Sequence, residues 1–304
     1  MGIQNDLSKQ IEEAGYMIRF APVHYVGDLE NEILRRVEDG EIDYQLYEKH
    51  MSWFEFDHGN RMSNAKTVII VSIPQNASSV DFKWKGKKRE FIIPPTYIFS
   101  PYEEEMTNLV TGVMGSSGYS VARAALPEKL LAARTGLARY GRNNITYVPK
   151  AGSYNRLVAL YTDMPCEDYE WHSPSRLDEC KSCSACIRSC PTGCIVEEHF
   201  LINASRCLTY FNESRRPFPS WVNSKWHNAI IGCLKCQMIC PANPELTIKE
   251  SGGTFSEEEI EQMITTVPEE DLSSETKDKL ESLCLLMCYS SIGRNLEVLV
   301  SQQQ

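Results

Sequence analysis

The sequence predicts an α/β or α+β fold in its first half, a small ligand-held domain after it, and helices at the end. Three observations carry this. Apolar, β-branched runs alternate with amphipathic stretches up to about residue 165, the pattern of a sheet covered by helices. Ten of the twelve cysteines then fall between Cys166 and about Glu250, among scattered prolines and few long periodic segments. After "SGGT" (251–254) come two acidic amphipathic stretches. The expected organisation is residues 1–165, 166–250 and 251–304.

Each element has a local reason. Residues 4–16 carry apolar positions at helical spacing, and "LENEILRRVEDG" (29–40) predicts a second helix stopped by Gly40. "AKTVIIVSIP" (65–74) is a short apolar run ending in Pro74, as a buried strand should be. "DFKWKGKKREFII" (81–93) alternates weakly around Gly86 and predicts an exposed hairpin. "PYEEEMTNLVTGVMGSSG" (101–118) opens with proline and acids and closes with glycine, which predicts a helix. "EKLLAARTGL" (128–137) reads as a helix, while "NNITYV" (143–148) and "RLVALYTDM" (156–164) read as strands. The stretches 256–265 and 273–289 predict the closing helices.

The 304 residues are 42% hydrophobic and 24% charged, with a net charge of −10. That is ordinary globular composition, and the acidic balance argues against a generic polyanion binder. No run approaches the roughly 18 apolar residues of a membrane span. The first twenty residues lack the apolar core and cleavage site of a secretory signal, and Asp6 replaces the Ser or Thr that myristoylation of Gly2 needs. The expectation is a cytoplasmic protein without a membrane partner. Thiols stay reduced there, so the cysteines point to metal ligation rather than disulfides.

Their spacing says which metal. Cys180, Cys183, Cys186 and Cys190 follow the C-x2-C-x2-C-x3-C-P pattern of bacterial ferredoxins, in which the fourth cysteine serves the other cluster. Three thiolates two residues apart reach three corners of one cubane, and the fourth, beside Pro191, points to a neighbour. A second, shorter run holds Cys233, Cys236 and Cys240-Pro241, so the chain carries a weak internal repeat. Cys207 lies between the runs and completes the set. One [4Fe–4S] cluster then takes Cys180, Cys183, Cys186 and Cys240, and the other takes Cys190, Cys207, Cys233 and Cys236. A four-thiolate zinc site is the alternative, but it leaves Cys186, Cys190, Cys207 and Cys240 without a role. The C-x3-C-x2-C of radical SAM chemistry is absent. Cys284 and Cys288, four apart on a predicted helix, are assigned to packing, as is Cys194; Cys166 is left open.

A bare electron carrier does not need 165 further residues. "VARAALPEKLLAARTGLARYGRNNITYVPKAGS" (121–153), "SRCLTY" (205–210) and "GCLKCQMICPANP" (232–244), with the cysteine runs, resemble the epoxyqueuosine reductases. These are cobalamin-dependent iron–sulfur enzymes of tRNA queuosine biosynthesis, related to the reductive dehalogenases. The resemblance runs from about Ala65 to Asn295, and "SIGRNLEVLV" (291–300) matches the family's helix after the ferredoxin module. It implies a nitroreductase-like, cobalamin-binding α/β domain, then a two-cluster bacterial-ferredoxin module and C-terminal helices. It also implies corrinoid contacts from Gly141, Arg142, Asn143, Asn144, Ala151, Gly152 and Ser153, with the corrinoid base-off. The D-x-H-x-x-G signature of the other cobalamin fold is absent, and "FDHG" (56–59) does not match it.

The sequence also departs from that family. In an ungapped match the family's catalytic aspartate falls on Ala122, its tryptophan on Arg139, and its Lys-His pair on Arg142 and Asn143. Alanine cannot donate a proton, and reducing an epoxide to an alkene needs protons as well as electrons. Tyr119 and Arg123 flank the position and are the candidate catalytic residues, as donor or electrostatic clamp. The leading expectation is a reductase in which an external low-potential donor, of ferredoxin or flavodoxin type, feeds the clusters and then the corrinoid. Its substrate is a small organic molecule or a modified nucleoside. The alternatives are a protein that reduces the corrinoid of a partner protein without a substrate of its own, and an epoxyqueuosine reductase with a relocated donor. The net charge argues against tRNA; the one basic cluster, "KWKGKKRE" (83–90), reads as a solvated hairpin.

Overall fold

The structure, a computed structural model, describes residues 2–98 and 100–302, apart from the side chains of Ser100 and residues 250–252. The first elements are α1 (Ile3–Glu13), β1 (Met17–Pro22), α2 (Val26–Glu38), α3 (Tyr44–His50) and β2 (Thr67–Pro74). A hairpin follows, β3 (Ala77–Trp84) and β4 (Lys87–Ile93), then α4 (Ser100–Ser116), β5 (Val121–Arg123) and α5 (Glu128–Arg134). β6 (Arg139–Tyr140), β7 (Thr146–Tyr147) and β8 (Asn155–Thr162) lead into the cysteine region with α6 (Ala185–Ser189), α7 (Leu208–Glu213) and α8 (Lys235–Met238). The chain ends in β9 (Ile248–Phe255), α9 (Glu257–Ile264), α10 (Ser274–Ser282) and α11 (Tyr289–Ser301).

These elements form two compact units that interleave along the chain. The first comprises Met1–Pro74, Ser100–Cys183 and Glu197–Leu201. Its sheet has the order β1-β2-β8-β5, antiparallel throughout. Successive side chains of a strand point to opposite faces, and here both faces are covered. Ile69, Val71 and Ile73 pack with Leu7, Ile11, Met106, Val110 and Met114 of α1 and α4. Val68 and Ile70 pack with Leu29, Ile33, Leu130 and Leu131 of α2 and α5. Burial on both faces is why "TVIIVSI" is apolar without alternation.

The second unit comprises Gln75–Phe99, Ser184–Val196 and Ile202–Gln304. Its sheet runs β4-β3-β9, with β3 antiparallel to β4 and parallel to β9. The hairpin expected to be exposed is half core: Val80, Phe82, Phe91 and Ile93 are buried with Ile230, Ile231 and the helices α9 to α11, and Phe82 stacks on Phe255 at 5.0 Å. Lys83 and Lys88, paired across the hairpin, occupy the other face, so the alternation was a packing signal. Strand β9, "IKESGGTF", runs across the expected boundary at 250.

Two further expectations change. The single helix over 273–289 is two helices. Cys284 adopts φ +55°, its N–H donates to the Glu281 carbonyl at 2.9 Å and that of Leu285 to the Leu280 carbonyl at 2.7 Å, closing α10 as a Schellman motif does. Cys284 and Cys288 therefore share no helix, although Cys288 does pack against the core. The strand expected over 143–148 shrinks to β7, because Asn144 at φ +60° turns the chain. Among the described residues no single helix is long and apolar enough to cross a membrane.

Candidate metal and cofactor sites

All twelve cysteines are thiols rather than disulfides. In the second unit, Cys186 lies on α6 and Cys236 on α8, the corresponding short helices of the two cysteine runs. These helices pack together, with Ser189 Oγ donating to the Lys235 carbonyl at 3.3 Å. Cys190 ends α6 in extended conformation and Cys207 precedes α7. Gly232, at φ +70°, sets the turn into Cys233; a Cβ there would strike the Tyr97 ring.

Three of the four thiols expected for the second cluster gather here. Cys190 Sγ lies 3.5 Å from Cys194 Sγ, and Cys194 also hydrogen-bonds Cys207. Cys233 feels the charges of both Cys207 and Cys190. The hydrogen bond from Cys194 holds the Cys190 thiol down at about 4, with Thr192 assisting and burial opposing. The same donor lowers Cys207 to about 7, and giving to both raises Cys194 itself. Burial pushes Cys233 up, against a hydrogen bond from Asn228 Nδ2 at 3.2 Å. Sequence reasoning placed Cys194 in the packing. It is indeed buried, but its thiol faces candidate ligands, and only its spacing of four from Cys190 hinted at that.

The loops carrying Cys207 and Cys233 are braced by α11. Buried Asn295 donates from Nδ2 to the Asn212 and Ile230 carbonyls, each at 2.9 Å, and Asn212 Nδ2 donates to the Gly232 carbonyl at 2.6 Å. Neither asparagine stood out in the sequence.

Cys180 and Cys183 lie in the first unit, and the residues expected to touch a corrinoid lie there too, on two successive turns. Gly141 to Asn144 form the β6–β7 turn, closed by Gly141 N–H to Ile145 carbonyl at 2.7 Å. Ala151, Gly152 and Ser153 sit on the next, where Val148 and Gly152 exchange two 2.9 Å bonds. Arg142 is tied to the first cysteine loop: its backbone N–H donates to Cys180 Sγ at 3.4 Å and its guanidinium to the Cys180 carbonyl. Asn143 Nδ2 donates to the Tyr147 hydroxyl at 2.9 Å. Asn144 Nδ2 is buried with no partner, a polar donor available to a bound group. That atom is the observation that fits a corrinoid's amide-rich rim.

Residues 179–243 match the family model of a 4Fe-4S double cluster binding domain, and all eight expected ligands lie inside that range. An epoxyqueuosine reductase from Cellulophaga algicola is 29% identical over 256 residues, 82% of this chain and 77% of that one. The chain is related to the epoxyqueuosine reductases. A second such enzyme, from Cyclobacterium marinum, is 32% identical over 124 residues, but that alignment spans 40% of this chain and only 39% of the relative's length. The solved epoxyqueuosine reductase of Streptococcus thermophilus shares the fold, with a TM-score of 0.69 at 20% identity, over 100% of this chain and 82% of that one.

Ala122, where the family's aspartate was expected to fall, lies in edge strand β5 opposite Tyr161 of β8. The Tyr161 hydroxyl is buried without a partner, and burial pushes it up to about 12. Tyr119, half-buried, packs against the first unit's core. Arg123 does reach an acid: its guanidinium lies 2.9 Å from Glu128 and 3.5 Å from Glu103, which also pairs with Arg156 at 2.5 Å. Burial raises Glu128 to about 6, with Arg123 the largest opposing influence. Its Oε1 also accepts from the Ala159 N–H at 3.4 Å. The neighbouring Lys129 donates to the Asn144 carbonyl at 3.5 Å, so the start of α5 adjoins the turn with the unpartnered amide. Sequence reasoning missed Glu128, whose only local signal was an acid opening a helix six residues after Ala122.

Proposed function

We propose that the chain is an iron–sulfur, cobalamin-dependent reductase acting on a small organic or modified-nucleoside substrate. The observation that carries this is the cysteine set: eight thiols at two-cluster spacing inside a double-cluster match, three of them gathered in one unit. In this reading residues 1–165 house corrinoid and substrate, 166–250 hold the clusters, and 251–304 brace the cluster loops through Asn295. Cys180, Cys183, Cys186 and Cys240 hold one cluster; Cys190, Cys207, Cys233 and Cys236 hold the other. When bound, the clusters would supply single electrons drawn from a low-potential ferredoxin or flavodoxin, and a corrinoid would supply a strongly reducing metal.

The remaining work falls to this chain's own side chains. Arg142 fixes the Cys180 loop from both ends, and its N–H on Cys180 Sγ stabilises the thiolate. Asn144 and the backbone of residues 141–144 and 151–153 orient the corrinoid. Glu128 supplies the proton that Ala122 cannot: an acid raised to about 6 stays partly protonated at higher pH than an ordinary carboxyl, which suits it to give a proton. Arg123 positions Glu128 and limits its rise, and Tyr119 is the alternative donor. The setting is cytoplasmic.

Ala122 favours a second reading, in which the chain reduces the corrinoid of a partner protein and turns over nothing itself. Epoxyqueuosine in tRNA is a third: one solved epoxyqueuosine reductase holds a tRNA stem loop, although a net charge of −10 opposes phosphate binding here. Anaerobic reconstitution with iron, sulfide and cobalamin, followed by metal analysis, visible spectra and a substrate screen that includes tRNA, tests all three. Retained corrinoid with turnover supports the reductase. Reduction of a partner's cobalt without turnover supports the second reading. Zinc in place of iron and sulfide overturns every one.

A further inference from the structure

We propose that the Cys194 thiol is a non-ligating hydrogen-bond donor to the second cluster and raises its reduction potential. The inference rests on the ligand assignment above and goes beyond it, because Cys194 is not among the eight.

The argument begins with position. Cys194 is 2% exposed, so water does not satisfy its thiol. Its sulfur lies 3.5 Å from that of Cys190, and it also bonds Cys207; both are thiols of the same proposed cluster. The placement is held by the backbone. Gly193 turns at φ +63°, and the Cys194 carbonyl accepts from the Asn203 N–H at 2.8 Å, fastening the segment that leads to Cys207. Stoichiometry comes next. A cubane has four irons, and Cys190, Cys207, Cys233 and Cys236 occupy them all, so a fifth thiol finds no metal. A thiol has one proton to give, and the sulfurs of Cys190 and Cys207 lie within its reach. A hydrogen bond to a cluster sulfur favours the more negative, reduced cluster and so raises its potential. The Cys194 thiol would thus make the cluster beside it easier to reduce than it would be without that donor.

Cys194→Ala and Cys194→Ser, made in the full chain and reconstituted anaerobically, test this. Iron and sulfide are counted, and each cluster's potential is read by a redox titration followed by electron paramagnetic resonance. The expected result is unchanged iron in both variants. In Cys194→Ala one potential moves to more negative values while the other stays. Cys194→Ser, whose hydroxyl still donates, remains closer to the parent. If Cys194→Ala keeps the parent's potentials, the inference fails and the proposed function stands. If both variants lose half the iron, Cys194 is a ligand and the inference is wrong. If the parent itself takes up no clusters, both readings fall together.

Discussion

Replacing Glu128 by glutamine should change how stability depends on pH more than it changes the fold, because the amide keeps the shape and one acceptor oxygen. Burial holds this carboxyl at about 6 against an ordinary 4.5. At about 1.4 kcal/mol per pKa unit, the native state favours the neutral form by about 2 kcal/mol. The sign follows from which state binds the proton more tightly. A carboxyl raised on folding contributes stability below about pH 4.5 and loses it as pH rises through about 6. Glutamine does not titrate. The variant should therefore gain on the parent across that window, with about 1.2 kcal/mol of the change falling between pH 5 and 7.5. If the whole chain unfolds together, that is about 2 °C in relative Tm. Anaerobic thermal unfolding of both loaded proteins, side by side at each pH, measures it. A difference that stays flat from pH 5 to 7.5 would show that Glu128 is an ordinary ionised partner of Arg123 and remove it as the proton source.

Arg123→Ala removes the largest influence opposing that rise, so infrared titration of the Glu128 carboxyl should move to higher pH; an unmoved titration would break the link between them. Cys233→Ala should halve bound iron and sulfide, whereas full retention would take Cys233 out of the ligand set. Gly293→Ala places a Cβ against the Met263 backbone carbonyl where α11 crosses α9. Because backbone cannot step aside as a side chain can, a loss of about 3 kcal/mol is expected, read as a lower Tm; a variant melting with the parent would contradict that close approach.

What could be read in the sequence was what is local. Three thiols proposed for one cluster, Cys180, Cys183 and Cys186, lie within a few residues because one loop must wrap one cubane, so their spacing is visible by eye. Strands β2 and β8 were visible because burial on both faces leaves a continuous apolar run. The short β5 and the glycine-containing β9 carry no such mark; they are strands only because β8 and β3 lie beside them. The same distinction governs the site. The resemblance put an alanine, Ala122, where an acid was expected, and the sequence did not say what stands in for it. Glu128 has a raised pKa because α5 begins under β8 and the fold buries its carboxyl there. Two of its partners come from distant positions, Glu103 from α4 and Arg156 from β8, and the third, Arg123, from β5. Cys194 is the intermediate case. Its spacing was in plain view, but a turn at Gly193 was needed to show that its thiol meets Cys190 rather than the hydrophobic core. Residues whose chemistry depends on a neighbour three positions away announce themselves in the sequence, and those whose chemistry depends on burial do not. The proton donor proposed here, Glu128, belongs to the second kind, which is why its pH dependence, rather than any further motif, tests that proposal.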